Sequence, residues 1–164
     1  MAQVHAVKRA RKDYPEWGIK KGDSYYWWQL YNQSPQSSLT YPKRQQLTSS
    51  SFLKSIYDIE DGVLNATEYG EDDLANLISE LESLRDEQQD ALDRMPEQLQ
   101  DTSTAGELLT GRIEALEGWI SDLESIDARD FPVDGSDNDG ETEPDLDEDA
   151  FLSAVQDTVP GDWS

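Results

Sequence analysis

Residues 72–95 read DDLANLISELESLRDEQQDALDRM. Apolar side chains recur there at helical spacing, at Leu74, Leu77/Ile78, Leu81, Leu84, Ala91/Leu92 and Met95. This spacing places them along one side of an α-helix, and the polar residue Gln88 interrupts the stripe. Pro96 follows, and a proline ends or kinks a helix because its nitrogen has no hydrogen to donate. The stretch therefore predicts one helix of about 24 residues.

A second stripe of the same period follows after a short connection, at Leu108/Leu109, Ile113, Leu116, Trp119/Ile120, Leu123 and Ile126. Thr104, with Glu107 three residues later, matches the capping box that begins many helices. Two helices of similar length with a short connection predict an antiparallel, coiled-coil-like helical hairpin over residues 71–128. Arg112 lies close to the stripe, and we expect it to extend its charge to solvent or to pair with a carboxylate.

Two helices alone bury only one stripe each, so the hairpin is expected to associate with a copy of itself, to bind a partner protein, or to pack on the front of its own chain. The predicted interface comprises Leu74, Leu81, Leu84, Leu116, Trp119 and Leu123.

The front of the chain predicts a small sheet. Residues 24–31 read SYYWWQLY, which is rich in strand formers; residues 38–41 return after a turn, and residues 4–10 offer a third strand. Alternation would place Tyr26, Trp28 and Leu30 on one face and Tyr25, Trp27 and Gln29 on the other. A short helix is expected at about 50–60, capped by Thr48, Ser49 or Ser50. Residues 1–60 thus form the predicted basic, aromatic, β-rich module, and the fold class is α+β, mostly α.

Charge is divided unevenly along the chain. The 164 residues carry 36 Asp and Glu against 13 Lys and Arg, a net charge of −23. Residues 1–57 hold nine basic and three acidic side chains, net +6, whereas residues 58–164 hold four basic and 33 acidic ones, net −29. Residues 130–149 include ten acidic and no basic side chains. Such a stretch buries too little apolar surface to offset its ordering entropy, so residues 129–164 are predicted to be a disordered acidic tail that could contain a short helix at 149–157.

Composition excludes several classes of protein. The chain has no cysteine and one histidine, His5, which excludes disulfide scaffolds, thiol catalysis and multi-histidine metal sites. No apolar stretch approaches the length of a membrane-spanning helix, and the polar, basic residues 1–12 do not resemble a secretory signal. We therefore expect a cytoplasmic protein, or one in the host cytoplasm if it is viral, without membrane contact. No cofactor, metal or catalytic residue is predicted, and an enzyme is not expected.

Basic and aromatic residues alternate in the front module, a composition that suits nucleic acid. Lys and Arg neutralise phosphates, and aromatic rings stack on unpaired bases. In two alternative interpretations, the rings form the core of the sheet while the cations are simply solvated, or the module docks on the acidic part of its own chain. The predicted nucleic-acid-binding residues are Lys8, Arg9, Arg11, Lys12, Lys20, Lys21, Tyr25, Trp27, Lys43 and Arg44.

Several short motifs together resemble a small family of uncharacterised phage and prophage proteins. They are KRARK at 8–12, GIKKGDSYYWW at 18–28, QLT at 46–48, MPEQLQ at 95–100, and GELL at 106–109 with Arg112. The resemblance implies a viral or mobile-element setting and no catalytic residues.

Three functions fit the sequence. The first is a non-enzymatic adaptor whose front module contacts nucleic acid or a nucleoprotein, while its hairpin mediates self-association or partner docking. The second is an acidic anti-defence protein that mimics DNA, in which the acidic part is the active surface. The third is a virion structural or assembly protein.

Overall fold

The computed structural model describes residues 1–133, 146–161 and 163. It is mostly helical with one small antiparallel sheet, which confirms the α+β, mostly α prediction at that level. The chain divides into two compact units, Met1–Ile59 and Glu60–Ser164, called unit 1 and unit 2 below. In the described part of the chain, no helix is both long enough and apolar enough to cross a membrane.

Unit 1 contains the sheet, whose strands are β1 (Val4–Val7), β2 (Tyr25–Trp28) and β3 (Gln36–Ser38) in the order β1-β2-β3. Both pairings are antiparallel. Alternation along β2 places Tyr26 and Trp28 on one face and Tyr25 and Trp27 on the other. Trp28 is 4% exposed, and its indole N–H donates to the carbonyl oxygen of Gln46 at 3.1 Å. The Trp28 face is therefore the inner face of the sheet.

The connection between β1 and β2 is held by backbone hydrogen bonds. The amide of Ala10 donates to the carbonyl of Asp23 at 2.7 Å, and the amides of Tyr14 and Ile19 each donate to the carbonyl of the other residue. A 3₁₀ turn at Pro15–Trp17 ends at Gly18, whose φ of +66° is a left-handed conformation that glycine adopts easily. Ile19 is 1% exposed. This packing fixes Tyr14 and Trp17 relative to the sheet.

Helix α1 (Ser51–Leu64) follows a 3₁₀ turn at Arg44–Leu47. Ser50 caps it, because its hydroxyl oxygen accepts a hydrogen bond from the amide of Leu53 at 3.4 Å. The helix is one turn longer than expected, and Val63, in the added turn, is 3% exposed. The boundary between the two units falls inside α1, so a fragment ending at residue 60 would cut this helix.

Unit 2 is built on two long helices, α2 (Glu71–Asp93) and α4 (Thr104–Glu124), with the single turn α3 (Glu97–Gln100) between them. The two long helices pack against each other along their lengths as an antiparallel pair. Leu81, Leu116 and Leu123 have no exposed surface. The polar interruption at Gln88 meets Arg112, whose guanidinium donates to the amide oxygen of Gln88 at 3.4 Å. The coiled-coil character of the pair stays a prediction.

The start of α4 differs by one residue from the sequence-based prediction. Ser103, not Thr104, is the N-cap, because the hydroxyl oxygen of Ser103 accepts a hydrogen bond from the amide of Gly106 at 3.0 Å. Gly106 is buried, and a β-carbon there would collide with the backbone carbonyl of Gln100. The close approach of α3 to the first turn of α4 thus requires glycine at this position.

The end of the chain forms helix α5 (Glu148–Asp157), capped by Asp147, whose carboxylate accepts a hydrogen bond from the amide of Ala150 at 3.1 Å. Phe151 and Val155 have no exposed surface, and Phe131 meets Phe151 edge-on at 5.7 Å between ring centroids. Residues 129–133 and 146–161 are thus folded as part of unit 2, which corrects the disorder expected there, and α5 confirms the short helix considered at 149–157. Residues 134–145, 162 and 164, also within the predicted tail, lie outside the described residues.

Candidate nucleic-acid interface

Five aromatic side chains of unit 1 make two groups of ring contacts, one from His5 and Trp27 and one from Tyr14, Trp17 and Tyr25; we call the five together the aromatic strip. The rings of His5 and Trp27 stack at 4.4 Å between centroids with an angle of 18° between their planes. The ring of Tyr14 lies 5.9 Å from that of Tyr25 and 5.9 Å from that of Trp17. Every member is half-buried, so each ring is supported by the protein and also offers surface to solvent.

Strand register explains the strip. His5 of β1 lies directly opposite Trp27 of β2, so both side chains leave the sheet on the same face. Tyr25 is two residues before Trp27 and shares that face. The β1–β2 connection then brings Tyr14 and Trp17 to this group. The face of the sheet that carries Trp28 is therefore buried, and the face that carries Trp27 is half-exposed.

Positive charge borders the strip. The Nζ atom of Lys12 lies 5.2 Å from the centre of the Tyr14 ring, a cation–π distance. Five other predicted binding residues of this region are exposed: Lys8, Arg9, Arg11, Lys20 and Lys21. Two nearby carboxylates accept backbone hydrogen bonds: Asp13 from the amide of Lys21 at 2.6 Å, and Asp23 from the amide of Lys20 at 2.8 Å. Cations therefore outnumber the acids along this edge.

The phenol of Tyr25 stays neutral over the physiological range. Burial and a hydrogen bond with Tyr14 raise the pKa of Tyr25 above its ordinary value of 10.0, while the positive charge of Arg11 acts in the lowering direction. No negative charge therefore develops on this ring at neutral pH.

The last two predicted cations differ from the others. Arg44 is half-buried, and its guanidinium carbon lies 4.6 Å from the centre of the Tyr57 ring. That contact gives Arg44 a structural role in unit 1. Lys43 is exposed, and its backbone amide donates to the side chain of Gln46 at 2.8 Å.

Sequence reasoning found Tyr25 and Trp27 but missed three members of the strip. His5 lies on β1, and its stacking on Trp27 depends on a register that composition does not specify. Tyr14 and Trp17 are placed by hydrogen bonds across the β1–β2 connection. The usable signal was the aromatic spacing of Tyr14 and Trp17 just before a glycine that reverses the chain.

The predicted interface of unit 2 needs correction. Its six residues are interior in the described chain: Leu74, Leu81, Leu84, Leu116, Trp119 and Leu123 are each at most 8% exposed. The C-terminal segment of the chain packs against part of this group. The indole N–H of Trp119 donates to the hydroxyl of Thr158 at 2.9 Å, and its ring lies 5.9 Å from that of Trp163. These side chains form a core rather than a surface for a partner.

Trp163 also reaches a buried carboxylate. Its indole N–H donates to Glu60 at 2.5 Å, and Glu60 has no exposed surface. The side-chain amide of Gln156 in α5 donates a hydrogen bond to the backbone carbonyl oxygen of Val63 at 3.0 Å. The C-terminal segment is thus joined to the rest of unit 2 by polar contacts as well as apolar ones.

Comparisons with known proteins leave the function to be argued from this geometry. No family model matches the chain, and neither the curated proteins nor the solved structures include one that is significantly similar to it. Among the residues that the structure describes, no group of three or more His, Asp or Glu side chains is placed to hold a metal ion. The resemblance to phage and prophage proteins stays a prediction.

Proposed function

We propose that this chain is a non-enzymatic, phage-type binding protein whose unit 1 contacts nucleic acid or a nucleoprotein. The observation that carries the proposal is the cation of Lys12 over the half-buried ring of Tyr14, together with five other exposed cations of unit 1 in residues 8–21. Unit 1 holds nine basic and four acidic side chains, whereas unit 2 holds four basic and 32 acidic ones. On so acidic a chain, a locally positive surface is a feature that a phosphate backbone would recognise.

Binding through this surface depends steeply on salt. Each cation that neutralises a phosphate releases a condensed counterion, so the logarithm of the affinity falls linearly with the logarithm of the salt concentration. The slope is about −0.9 per contact on duplex DNA and about −0.7 on a single strand. The charge of unit 2 opposes binding, so we expect the full chain to bind weakly.

Fluorescence anisotropy with labelled single- and double-stranded oligonucleotides tests the proposal on the full chain. We expect binding at about 50 mM salt that weakens as salt is added. Lys12→Ala should lower the affinity and make the salt slope shallower by about one contact, 0.7 to 0.9. Lys54→Ala is the matched control, because it removes one exposed lysine of α1 outside the predicted site.

Two results would contradict the proposal. The first is the absence of binding to either oligonucleotide at about 50 mM salt. The second is an equal effect of Lys12→Ala and Lys54→Ala on affinity. Such a result would show that binding is a general attraction between charges rather than a property of the predicted site.

A second candidate function is the acidic DNA mimic, which the surface of unit 2 favours. The carboxylates of α2 and α4 are all exposed, whereas the apolar stripes of these helices are interior. A partner protein would therefore meet an acidic surface. The mimic predicts no oligonucleotide binding, together with capture of host DNA-binding proteins that nuclease treatment does not release. The adaptor predicts nuclease-sensitive capture.

A further inference from the structure

The spacing of Tyr25 and Trp27 along β2 limits which form of nucleic acid the aromatic strip can bind. Tyr25 and Trp27 lie on one face of β2, two residues apart, and that spacing along a strand is about 6.5–7 Å. Stacked nucleotides in a duplex rise by about 3.4 Å each. These two positions along β2 are thus about two base steps apart, which suits bases that have been separated from one another.

The exposed surface of the rings also favours a single strand over a duplex. All five members of the strip are half-buried, and His5 covers one face of the Trp27 ring, so the side chains are held in place and keep part of their surface exposed. The aromatic face of a base in a duplex is covered by its neighbours, whereas an unpaired base offers that face to a protein ring. A single strand can therefore use surface that a duplex cannot reach.

The cations are distributed as a single strand requires. Lys12 lies over Tyr14, and Arg11, the preceding residue of the chain, is exposed. A strand whose bases meet the rings would carry its phosphates beside these side chains. Trp28, two positions from Tyr26 on the other face, is 4% exposed and bonded to Gln46, so it has no such role.

We infer that the aromatic strip binds unpaired bases of a single-stranded nucleic acid by stacking, with Trp27 and Tyr25 as neighbouring stacking positions and Arg11 and Lys12 beside the phosphates. The inference rests on the proposed function of unit 1 and specifies its ligand. Base identity contributes little, because every base has an aromatic face.

The test uses the full chain and three probes of equal length: oligothymidylate, an oligomer with the same phosphates but abasic sugars, and a duplex. We expect oligothymidylate to bind more tightly than the abasic oligomer by roughly 5- to 100-fold for each stacked base. Trp27→Ala should reduce that ratio while leaving the affinity for the abasic oligomer unchanged. Lys12→Ala should weaken binding to both oligomers equally.

Two control variants distinguish the loss of a stacking ring from a loss of folding. Trp27→Phe keeps a ring in the same place and should retain most of the preference for bases. Tyr31→Ala removes a ring that is 90% exposed and outside the strip, and should change nothing. Thermal melting followed by circular dichroism shows whether each variant is folded.

The outcomes separate the two proposals. Equal affinity for oligothymidylate and the abasic oligomer, or tighter binding to the duplex, would overturn the stacking inference and leave nucleic-acid binding intact. An unchanged ratio in folded Trp27→Ala would also overturn it. No binding to any probe would overturn the proposed function itself, and the stacking inference with it.

Discussion

Trp119 of unit 2 and Trp27 of unit 1 lie in opposite surroundings. In unit 2, Trp119 is 1% exposed and bonded to Thr158, while the helix surfaces carry the carboxylates. In unit 1, Trp27 is half-buried and stacked on His5, with exposed cations in the same unit. A side chain whose burial would stabilise the fold is thus kept partly at the surface in the unit that also keeps positive charge. The contrast supports the proposal that the half-exposed rings of unit 1 serve recognition.

Replacing one tryptophan in each unit tests this contrast and has the largest expected effect. Trp119→Ala should lower the free energy of unfolding by about 3–5 kcal/mol, because it leaves a cavity in the core of unit 2. Trp27→Ala loses an exposed stacking pair and should cost about 1 kcal/mol. Urea denaturation followed by circular dichroism measures both. Equal losses would show that the strip is part of a core and would weaken its assignment to ligand binding.

A glycine in each unit is required for a different reason, which gives the next largest effect. Gly106→Ala should cost about 1–3 kcal/mol, since the added β-carbon meets the rigid backbone carbonyl of Gln100. Gly18→Ala in unit 1 meets no atom but must adopt a φ of +66°, which costs about 1 kcal/mol. Gly118→Ala is the control, because it has open space in the same helix as Gly106 and should stabilise by about 0.5–1 kcal/mol. A neutral Gly106→Ala would contradict the close approach of α3 and α4.

The sequence predicts unit 2 better than unit 1 because helical spacing is a local property. The stripes of α2 and α4 follow directly from residues such as Leu81 and Leu116, and Pro96 marks the break between the helices. In unit 1, the alternation of Trp27 and Trp28 separates the faces, but nothing local says which face is buried. That choice depends on the distant bond from Trp28 to Gln46.

The C-terminal segment shows where composition misleads. Acidic residues dominate the stretch before α5, and composition therefore predicts a disordered tail through residue 164 that could contain a short helix at 149–157. Phe151 and Val155 nevertheless share one side of a short helix, and both are fully buried. Their cover includes Phe131, and Trp163 reaches Glu60 across 103 positions of sequence. Such long-range contacts leave no local pattern in the sequence. The sequence-based prediction therefore treated the buried stripe of the hairpin as an interface.

The first residue of α4 gives a smaller test, and the helix of unit 1 gives its comparison. Ser103→Ala should destabilise by about 1 kcal/mol, because it leaves the amide of Gly106 without its capping oxygen. Thr104→Ala, at the first helical residue, should be nearly neutral. Ser50→Ala at α1 should cost less than Ser103→Ala, because the hydroxyl of Ser50 lies 3.4 Å from the amide of Leu53. A larger loss at Thr104 than at Ser103 would restore the sequence-based position of the cap.

The smallest expected effect concerns one tyrosine of unit 2 at alkaline pH. Burial, followed by the carboxylates of Asp73 and Glu80, raises the pKa of Tyr69 from 10.0 to about 12. Folding therefore favours the neutral phenol, and the resulting stability is complete below pH 10 and lost between pH 10 and about 12. Tyr69→Phe cannot ionise, so its stability relative to the natural chain should rise across that interval. Absorbance titration of tyrosinate should show one late-titrating group that is absent from Tyr69→Phe. Tyr25→Phe is the matched change in unit 1, where burial is also the main cause of the raised pKa but a cation, Arg11, acts against it. If added salt left the pKa of Tyr69 unchanged, burial alone would account for the shift, and the acidic surface of unit 2 would not extend its influence to this side chain.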